Sequence, residues 1–314
     1  MTAIRRWSGR EVRGLREAKR MSLRAFAAHL GVSERMISKW EAGGTAIHPR
    51  PVNQAALDTS LACSSADVQH RFKLALDSEA TLDESPAPTL PLSEPDQIRH
   101  PVDGRLMALV NAGIYLAGTA NEPVWLPAYY IDVFPVTNAD YTRFVTATGH
   151  NAPQHWERGR CPDDIFDHPV VFVTWSDAAA YGDWAAKSLP TTQQWEKAAR
   201  GDRGDVYPWG SQMTPAKCNV RENRVGHTTP VSCYQSGVSP YGVFDMCGNV
   251  WEWCATQTEP ERYELKGGAF TSPFTRATPS TFNDASIRMM DDDTGFRCAT
   301  PAETMESLLN ATRR

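Results

Sequence analysis

Apolar residues recur at helical spacing in the N-terminal quarter of the chain. Two short amphipathic helices are predicted there, with a tight turn at Gly31 and with Ser33 capping the second helix. The apolar residues of these helices and their turn are predicted to form a common core. They are Leu23, Phe26, Ala27, Leu30, Val32, Ile37 and Trp40. Further helices are predicted at residues 51–61 and 67–76. The pattern therefore predicts an all-α domain over residues 1–76.

The apolar pattern stops after this domain and returns later. Residues 77–104 are acidic and interrupted by prolines, and they contain too little apolar surface to offset the entropy of ordering. We expect an extended, semi-flexible linker there. Residues 105–301 are rich in aromatic residues, glycine and proline, which indicates one irregular α+β domain. Residues 302–314 form a C-terminal tail. Its residues 303–309 and the helices at 51–61 and 67–76 are the candidates for a dimer interface.

Capping residues and apolar spacing predict three helices in the α+β domain. Thr137 or Asn138 caps the first, which ends near Thr148, and Ser176 caps the second, which ends near Lys187. The third begins at Thr192 and ends near Arg200. Short strands are predicted at residues 113–116, 129–133, 170–173 and 296–299.

Charge is divided unevenly between these regions. The chain has 314 residues and a net charge of −5. Residues 1–76 contain 13 Lys and Arg against 6 Asp and Glu, whereas the remainder contains 19 against 31. A basic domain joined to an acidic one indicates that the basic domain is the part that binds a polyanion.

Cysteine usage and hydropathy bear on the compartment. The 7 cysteines include no Cys-x-x-Cys pair, which favours buried thiols over a disulfide framework. No apolar run approaches the roughly 20 residues that span a bilayer. The first residues also lack the apolar core of a secretory signal. We therefore expect a cytoplasmic protein with no membrane partner.

The stretch Ser-Leu-Arg-Ala-Phe-Ala-Ala-His-Leu-Gly-Val-Ser-Glu-Arg-Met-Ile-Ser-Lys-Trp-Glu, residues 22–41, resembles the helix-turn-helix of the Cro and lambda-repressor (XRE-like) class. The resemblance implies double-stranded DNA as the partner and a homodimer as the binding form. Arg35 is the best candidate for reading a guanine edge. The predicted contacts with bases and phosphates are Ser33, Glu34, Arg35, Ser38, Lys39 and Arg24. We expect further phosphate contacts from Arg13, Arg16, Lys19 and Arg20.

Several motifs of the α+β domain occur in a recognisable order. They include Ser-Leu-Pro-Thr-Thr-Gln-Gln-Trp-Glu at 188–196, Asp-Met-Cys-Gly-Asn-Val-Trp-Glu-Trp at 245–253, Lys-Gly-Gly-Ala-Phe at 266–270 and Gly-Phe-Arg-Cys-Ala at 295–299. In order and spacing they resemble the formylglycine-generating enzyme family, the sulfatase-modifying factors. The resemblance implies a C-type-lectin-like fold. The predicted architecture is an all-α helix-turn-helix head joined by an acidic linker to an α+β C-type-lectin-like domain.

The resemblance also implies a pair of copper-binding cysteines, and here those positions align with Ser272 and Ala277. Monovalent copper requires soft ligands, which a hydroxyl and a methyl group do not provide. Copper binding at this pair is therefore not expected. Met289 and Met290 offer soft sulfur atoms for a replacement site, but adjacent methionines are more typical of core filling. The buried thiols Cys218, Cys233, Cys247, Cys254 and Cys298 are expected to be inert. Iron chemistry is disfavoured because the chain has only 8 histidines.

Calcium is the cofactor that the resemblance favours, at two structural sites. One maps onto Asp245 and Glu252 and the carbonyl groups of Gly248 and Val250. Oxygen ligands of this kind are those that Ca²⁺ prefers. The other maps onto Asn219 and the carbonyl group of Val220, where the following loop is short. The competing interpretation is that these residues bond only to the backbone of turns.

A ligand groove is implied near the double glycine. Its predicted edge consists of Ser272, Phe274, Arg276, Phe282, Asn283, Arg288, Asp293 and Trp175. Aromatic, amide and charged groups of this kind are typical of sites for a small ligand, a peptide or a partner protein. An ordinary solvated loop is the alternative.

These observations favour a sequence-specific DNA-binding transcriptional regulator whose degenerate domain senses a ligand or partner. One alternative is a metal-dependent oxidoreductase with a non-standard active site, tethered to DNA. Another is a binding module in which the basic head only mediates oligomerisation.

Overall fold

The computed structural model describes residues 4, 6–77 and 97–312. Most of the predicted linker, residues 78–96, lies outside the described residues. The chain divides into two compact units. The head comprises Met1–Ser93 together with Gln212–Lys217, and the body comprises Glu94–Ser211 and Cys218–Arg314.

The head is all helical, as the apolar pattern predicts. Its helices are α1 Gly9–Ala18, α2 Leu23–Leu30, α3 Glu34–Ala42, α4 Pro51–Ala62 and α5 Ala66–Asp77. The head core is formed by residues from all five helices, including Val12, Phe26, Ile37, Leu57 and Phe72. The predicted helices at 51–61 and 67–76 are thereby confirmed to within one residue.

A segment from the second half of the sequence completes the head core. Ala216 is 1% exposed and belongs to the apolar cluster of the head. The side-chain amide of Gln212 donates a hydrogen bond to the carbonyl oxygen of Gly31, at 3.1 Å. The assignment of all residues from 105 to 301 to one domain is therefore corrected for Gln212–Lys217. The apolar pattern of the sequence does not predict that this segment packs in the head.

The body contains two four-stranded sheets and a separate hairpin. The strands are β1 Gln97–Arg99, β2 Leu106–Val110, β3 Gly113–Ala117, β4 Glu122–Leu126, β5 Tyr129–Asp132, β6 Trp251–Glu259, β7 Arg262–Lys266, β8 Phe282–Ser286, β9 Thr294–Gly295 and β10 Ala299–Pro301. The first sheet has the order β1-β2-β5-β10 and is antiparallel. The second has the order β8-β7-β6-β9, in which β6 and β9 are parallel. Strands β3 and β4 form the hairpin.

The helices of the body are α6 Asn138–Thr148, α7 Trp175–Trp184, α8 Thr192–Arg200 and α9 Ala302–Thr312. Thr137 caps α6 as predicted. Helix α7 differs from the prediction, because its N-cap is Thr174 and it ends at Trp184. Thr174 forms a reciprocal capping box with Asp177, which places the N-cap two residues before the predicted cap, Ser176.

Three predictions about extended segments are wrong. Residues 296–298 lie between β9 and β10, so that only Ala299 of the predicted strand at 296–299 is in a strand. Residues 170–173 do not form a strand, because Phe172 has a positive φ of 57° and its amide bonds to Asp291 instead of a sheet neighbour. Residues 97–104, assigned to the linker, belong to the body. They form β1 and a turn in which the side chains of His100 and Asp103 are fully buried.

A buried cluster of charged side chains explains why this turn is ordered. The Lys187 ammonium group lies 2.7 Å from the Asp103 carboxylate and 2.8 Å from the Asp132 carboxylate. All three side chains are 0% exposed. Burial alone would raise the pKa of Asp103, but hydrogen bonds from His100 and Lys187 hold that pKa well below its usual value. The lysine therefore links β5 to the N-terminal turn of the body.

Within the part of the chain that the structure describes, no helix combines the length and the apolar character needed to cross a membrane.

Replacing Lys187 by methionine should destabilise the body strongly, because two buried carboxylates would lose the cation that they share, and only Asp132 would keep another nearby, Arg105 at 3.3 Å. The expected loss is about 3–5 kcal/mol in the free energy of unfolding, measured by denaturant titration. The control is Arg203→Met, which removes a cation whose side chain is 81% exposed. That variant should stay within about 0.5 kcal/mol of the wild type. Equal effects of the two substitutions would contradict the assigned role of Lys187.

Candidate functional sites

The second helix of the helix-turn-helix presents a polar face. Helix α3 begins after Ser33, whose hydroxyl oxygen accepts a hydrogen bond from the Met36 amide at 3.2 Å. Ile37 and Trp40 are buried in the head core. The predicted DNA-contacting residues are all exposed, unlike Ile37 and Trp40. They are Ser33, Glu34, Arg35, Ser38 and Lys39 at or after the start of α3, and Arg24 in α2.

The turn between α2 and α3 requires glycine. Gly31 has a φ of +66° and ends α2 in the left-handed conformation. A β-carbon at this position would lie only 1.9 Å from the carbonyl oxygen of Met213, which belongs to the same compact unit. Backbone conformation and close packing therefore both fix the angle at which α3 leaves α2.

Two of the predicted phosphate contacts, Arg16 and Lys19, are partly buried. The Arg16 guanidinium binds the buried Glu41 carboxylate through two contacts of 2.6 and 2.9 Å, and this hydrogen bonding raises the pKa of Arg16. Burial lowers the pKa of Lys19 to about 8. Arg16 thus joins α1 to the end of α3, a structural role that the charge pattern alone does not reveal. Arg13 and Arg20 remain exposed.

A strained loop in the body carries the first predicted calcium site. Asp245 and Asn249 both have positive φ, of 55° and 70°. The Asn249 side chain holds the loop together: its amide donates to Asp245 Oδ2 at 2.9 Å, and its oxygen accepts from the Thr229 amide at 2.9 Å. Such backbone conformations are sustained only where the surroundings enforce them.

Two buried oxygen atoms near this loop have no hydrogen-bond partner in the part of the chain that the structure describes. They are Asp245 Oδ1 and Asn219 Oδ1. Burial raises the pKa of Asp245 to about 7. Buried acceptors without a donor are rare, and an unrecorded cation is one of the usual reasons for them. Asp245 and Asn219 therefore suit the calcium sites for which they were predicted.

Glu252 fits a metal site less well. Its Oε2 accepts from Arg297 Nε at 2.6 Å and from Trp195 Nε1 at 2.8 Å, and its Oε1 accepts from Arg297 Nη2 at 2.7 Å. One acceptor position of Oε1 is left. The Gly248 carbonyl oxygen accepts from the Val250 amide at 3.1 Å, and the Val220 carbonyl oxygen accepts from the Asn223 amide at 2.9 Å. Each carbonyl retains a second lone pair.

The predicted groove is only partly an open surface. Phe274 is buried and stacks on Tyr207 at 4.8 Å, and Ser272 is 6% exposed. Neither side chain therefore edges a groove, which corrects that part of the prediction. The exposed members are Arg276, Phe282, Asn283 and Arg288. Trp175 is half-buried and stacks on Tyr263 at 4.0 Å. Burial raises the pKa of Asp293, whose carboxylate accepts a hydrogen bond from Thr271.

The structure also contains a pocket that the sequence analysis missed. Its volume is about 460 Å³, and it lies at the C-terminal end of α6. His150 Nε2 lies 2.7 Å from the Asp177 carboxylate at its wall. The lining residues are Phe144, Thr148, Gly149, His150, Asn151, Ala180 and Trp184. No spacing in the sequence connects α6 with α7, so only the fold reveals this pocket.

Comparison with known proteins decides the family. Residues 94–302 match the sulfatase-modifying factor enzyme 1-like domain, and residues 8–70 match a helix-turn-helix domain. The first match covers two thirds of the chain. The chain belongs to the sulfatase-modifying factor enzyme 1-like family.

Relatives within this family carry different names. The chain is 30% identical over 259 residues to the formylglycine-generating enzyme of Streptomyces coelicolor, with 59% of this chain and 82% of that protein covered. It is 30% identical over 243 residues to the inactive C-alpha-formylglycine-generating enzyme 2 of Mus musculus, with 59% and 79% covered. Identity to YfmG of Bacillus subtilis is 38% over 176 residues, but this covers 45% of the chain and only 36% of YfmG.

Solved structures confirm the fold. PvdO from Pseudomonas aeruginosa superposes with a TM-score of 0.56 at 20% identity, covering 67% of this chain and all of PvdO. Treponema denticola variable protein 1 superposes with a TM-score of 0.54 at 18% identity, covering 66% and 99%. The predicted formylglycine-generating-enzyme-type body behind a helix-turn-helix head is therefore confirmed.

In this sulfatase-modifying factor body, the positions aligned with the copper cysteines have other roles. The Ser272 hydroxyl oxygen accepts a hydrogen bond from the Ala269 amide at 3.0 Å. The methyl side chain of Ala277 is fully buried and has no atom that can bind a metal ion. The residues present do not fit a copper ion held between these two positions. They instead close a turn, in which Glu222 also accepts a hydrogen bond from the Phe274 amide at 2.9 Å.

Close packing of this turn predicts a large effect of Gly268→Ala. Gly268 has a φ of +71°, and an added β-carbon would lie 2.7 Å from the Ala277 α-carbon. The control is Gly226→Ala, at a φ of +79° with nothing within 4 Å. Both substitutions place a β-carbon on a residue with positive φ, which destabilises the fold by about 1 kcal/mol. Only Gly268→Ala adds a clash with the backbone. Thermal unfolding should show the Gly268 variant melting clearly below the control. Matching melting temperatures would refute the close approach of residues 268 and 277.

Proposed function

We propose that this chain is a sequence-specific DNA-binding transcriptional regulator, and that its body binds a small ligand, a peptide or a partner protein. The observation that carries the proposal is the exposed polar face of α3 on a correctly capped helix-turn-helix. Helices of this geometry enter the major groove with their first residues directed at base edges.

The charge distribution supports DNA as the partner. The head is basic and the remaining sequence is acidic, so attraction to phosphates is concentrated in the head. Arg35 lies in the first turn of α3, is exposed and has no ion-pair partner among the described residues. A guanidinium group in this position can form two parallel hydrogen bonds with guanine. A homodimer would place two such helices on neighbouring half-sites.

The body is proposed to act in recognition. At the copper positions, Ser272 bonds to the backbone and Ala277 packs against Gly268. The fold is retained without these ligands, which is consistent with reuse of the frame for binding. The mouse relative whose name contains the word inactive is a precedent within the family. The exposed residues Arg276, Phe282, Asn283 and Arg288 offer the proposed contact surface, and we place the protein in the cytoplasm.

Calcium is proposed as a structural cofactor of the body. Asp245 and Asn219 would contribute side-chain oxygens, and Glu252, Gly248, Val250 and Val220 would contribute the remaining oxygens. Bound calcium would satisfy the two buried acceptors and offset the cost of a buried carboxylate. The support is the pair of oxygen atoms without hydrogen-bond donors.

Arg35→Ala should weaken binding to the preferred DNA sequence. That sequence would first be obtained by selecting genomic fragments with the full chain. Loss of one bidentate contact costs about 1–3 kcal/mol, or roughly 5- to 150-fold in affinity. Titrations at several salt concentrations would separate this loss from phosphate binding.

The matched control for Arg35→Ala is Lys73→Ala, which removes one exposed positive charge from α5. It should reduce affinity for all sequences equally and only slightly. If the wild-type chain binds every fragment with the same affinity, the proposal of a specific regulator fails.

Asp245→Asn should abolish stabilisation by calcium. At pH 8 we expect 1 mM calcium to raise the melting temperature of the wild type relative to a chelator. A variant without the carboxylate should show no such rise, while Asp205→Asn should respond like the wild type because its carboxylate pairs with exposed Arg203 outside the loop. A wild type that ignores calcium would rule out the proposed cofactor.

A further inference from the structure

The pocket at the C-terminal end of α6 has aromatic walls. Its volume of about 460 Å³ is within the range of sites that hold small organic molecules. The ring centroids of Phe144 and Trp184 are 5.6 Å apart, and the ring planes are inclined at 54°. Phe144 belongs to the buried core, whereas Trp184 packs against that core and is only partly buried. A ligand in the pocket can therefore reach the tryptophan ring.

The electrostatic character of the pocket favours a cation. Among the residues that line it, His150 is the one with an ionisable side chain, and none is lysine or arginine. Helix α6 ends at the pocket, and its last turn contains no basic residue. The carbonyl groups at the C-terminal end of a helix carry a partial negative charge, which a cation beside them stabilises. In α6 the chain itself supplies no such cation.

His150 is held as a hydrogen-bond acceptor. Its Nε2 lies 2.7 Å from Asp177 Oδ1, and because a carboxylate only accepts, Nε2 carries the proton. In the neutral imidazole, Nδ1 is then the acceptor. The carboxylate is itself fixed, since its Oδ2 accepts from the Thr174 amide at 2.9 Å and from the Thr174 hydroxyl at 2.6 Å. The pair therefore keeps the single negative charge of Asp177.

The spacing along α7 places three wall residues on one side of that helix. Asp177, Ala180 and Trp184 follow one another at intervals of three and four residues, which are neighbours on a helix surface. The small side chain of Ala180 lies between the carboxylate and the indole and leaves room for a ligand. One helix face thus combines a charged group, a space and an aromatic ring.

We propose that this pocket binds a small primary ammonium ion carried on an apolar or aromatic stem. The ammonium group donates a hydrogen bond to His150 Nδ1 and lies near the carbonyl end of α6. Trp184 packs against the stem and attracts the cation through the face of its ring. The proposal goes beyond the proposed function, which places the contact surface of the body at other residues. It stands whether or not that surface binds a partner and whether or not the head binds DNA.

The test is isothermal titration calorimetry of the full chain at pH 8 with three probes of similar size. The probes are 2-phenylethylammonium, 2-phenylethanol and 3-phenylpropionate, which carry a positive charge, no charge and a negative charge on the same aromatic stem. The ammonium ion should bind about tenfold more tightly than the alcohol, because only the cation interacts with the helix end and the indole face. The carboxylate should bind more weakly than the alcohol.

Charge substitutions at Asn151 locate the binding without altering the core, because Asn151 lines the pocket and is exposed. Asn151→Lys should weaken binding of the ammonium probe about tenfold, and Asn151→Asp should strengthen it, as repulsion and attraction between nearby charges require. The control is Thr119→Lys, which adds the same charge at an exposed position between β3 and β4 and should bind like the wild type.

Three results would each overturn the proposal. The first is a wild type that binds none of the probes, and the second is equal affinity for the ammonium ion, the alcohol and the carboxylate. The third is an Asn151→Lys variant that binds the ammonium probe as tightly as Thr119→Lys does. The comparison of probes uses the wild type, so it remains decisive if a variant fails to fold.

Discussion

A fully buried ion pair between Glu252 and Arg297 joins the separate parts of the body. Both side chains are 0% exposed and form two parallel hydrogen bonds. Trp195 of α8 donates to the same carboxylate. The guanidinium also donates to the carbonyl oxygens of Asp132, at the end of β5, and Phe244, just before the strained loop. Removing either partner would leave the charge of the other one buried and unpaired, which would strongly lower the free energy of unfolding.

This pair explains how the frame persists without the family's copper ligands. The Gly-Phe-Arg motif is held by the Arg297 contacts. The double glycine is held by the close approach of Gly268 to Ala277 and by the hydrogen bond from the Ala269 amide to Ser272, neither of which needs a metal. Ser272 and Ala277 complete a turn that is stabilised internally by backbone hydrogen bonds. The chemistry of the site can therefore change while the fold remains. The same pair limits how far Glu252 is available as a calcium ligand.

Local patterns predicted the parts of the structure that depend on local interactions. The cap at Ser33, the turn at Gly31 and the cap at Thr137 follow from short-range rules, and the structure confirms them. Strands β6 and β7 escaped prediction because Trp251–Glu259 mixes buried aromatic with exposed polar residues on no regular alternation. The burial of Phe274 depends on Tyr207, 67 residues away, and the ordering of residues 97–104 depends on Lys187. Contacts between residues so far apart in the sequence leave no periodic pattern of apolar residues.

The central claim is that the body recognises a ligand and does not oxidise thiols. The most direct test is oxygen consumption by the copper-treated full chain in the presence of a cysteine-containing peptide. The formylglycine-generating enzyme of Streptomyces coelicolor is the comparison under the same conditions. We expect no peptide-dependent consumption above the protein-free rate. Sustained turnover of the peptide would contradict the account and identify the body as an enzyme.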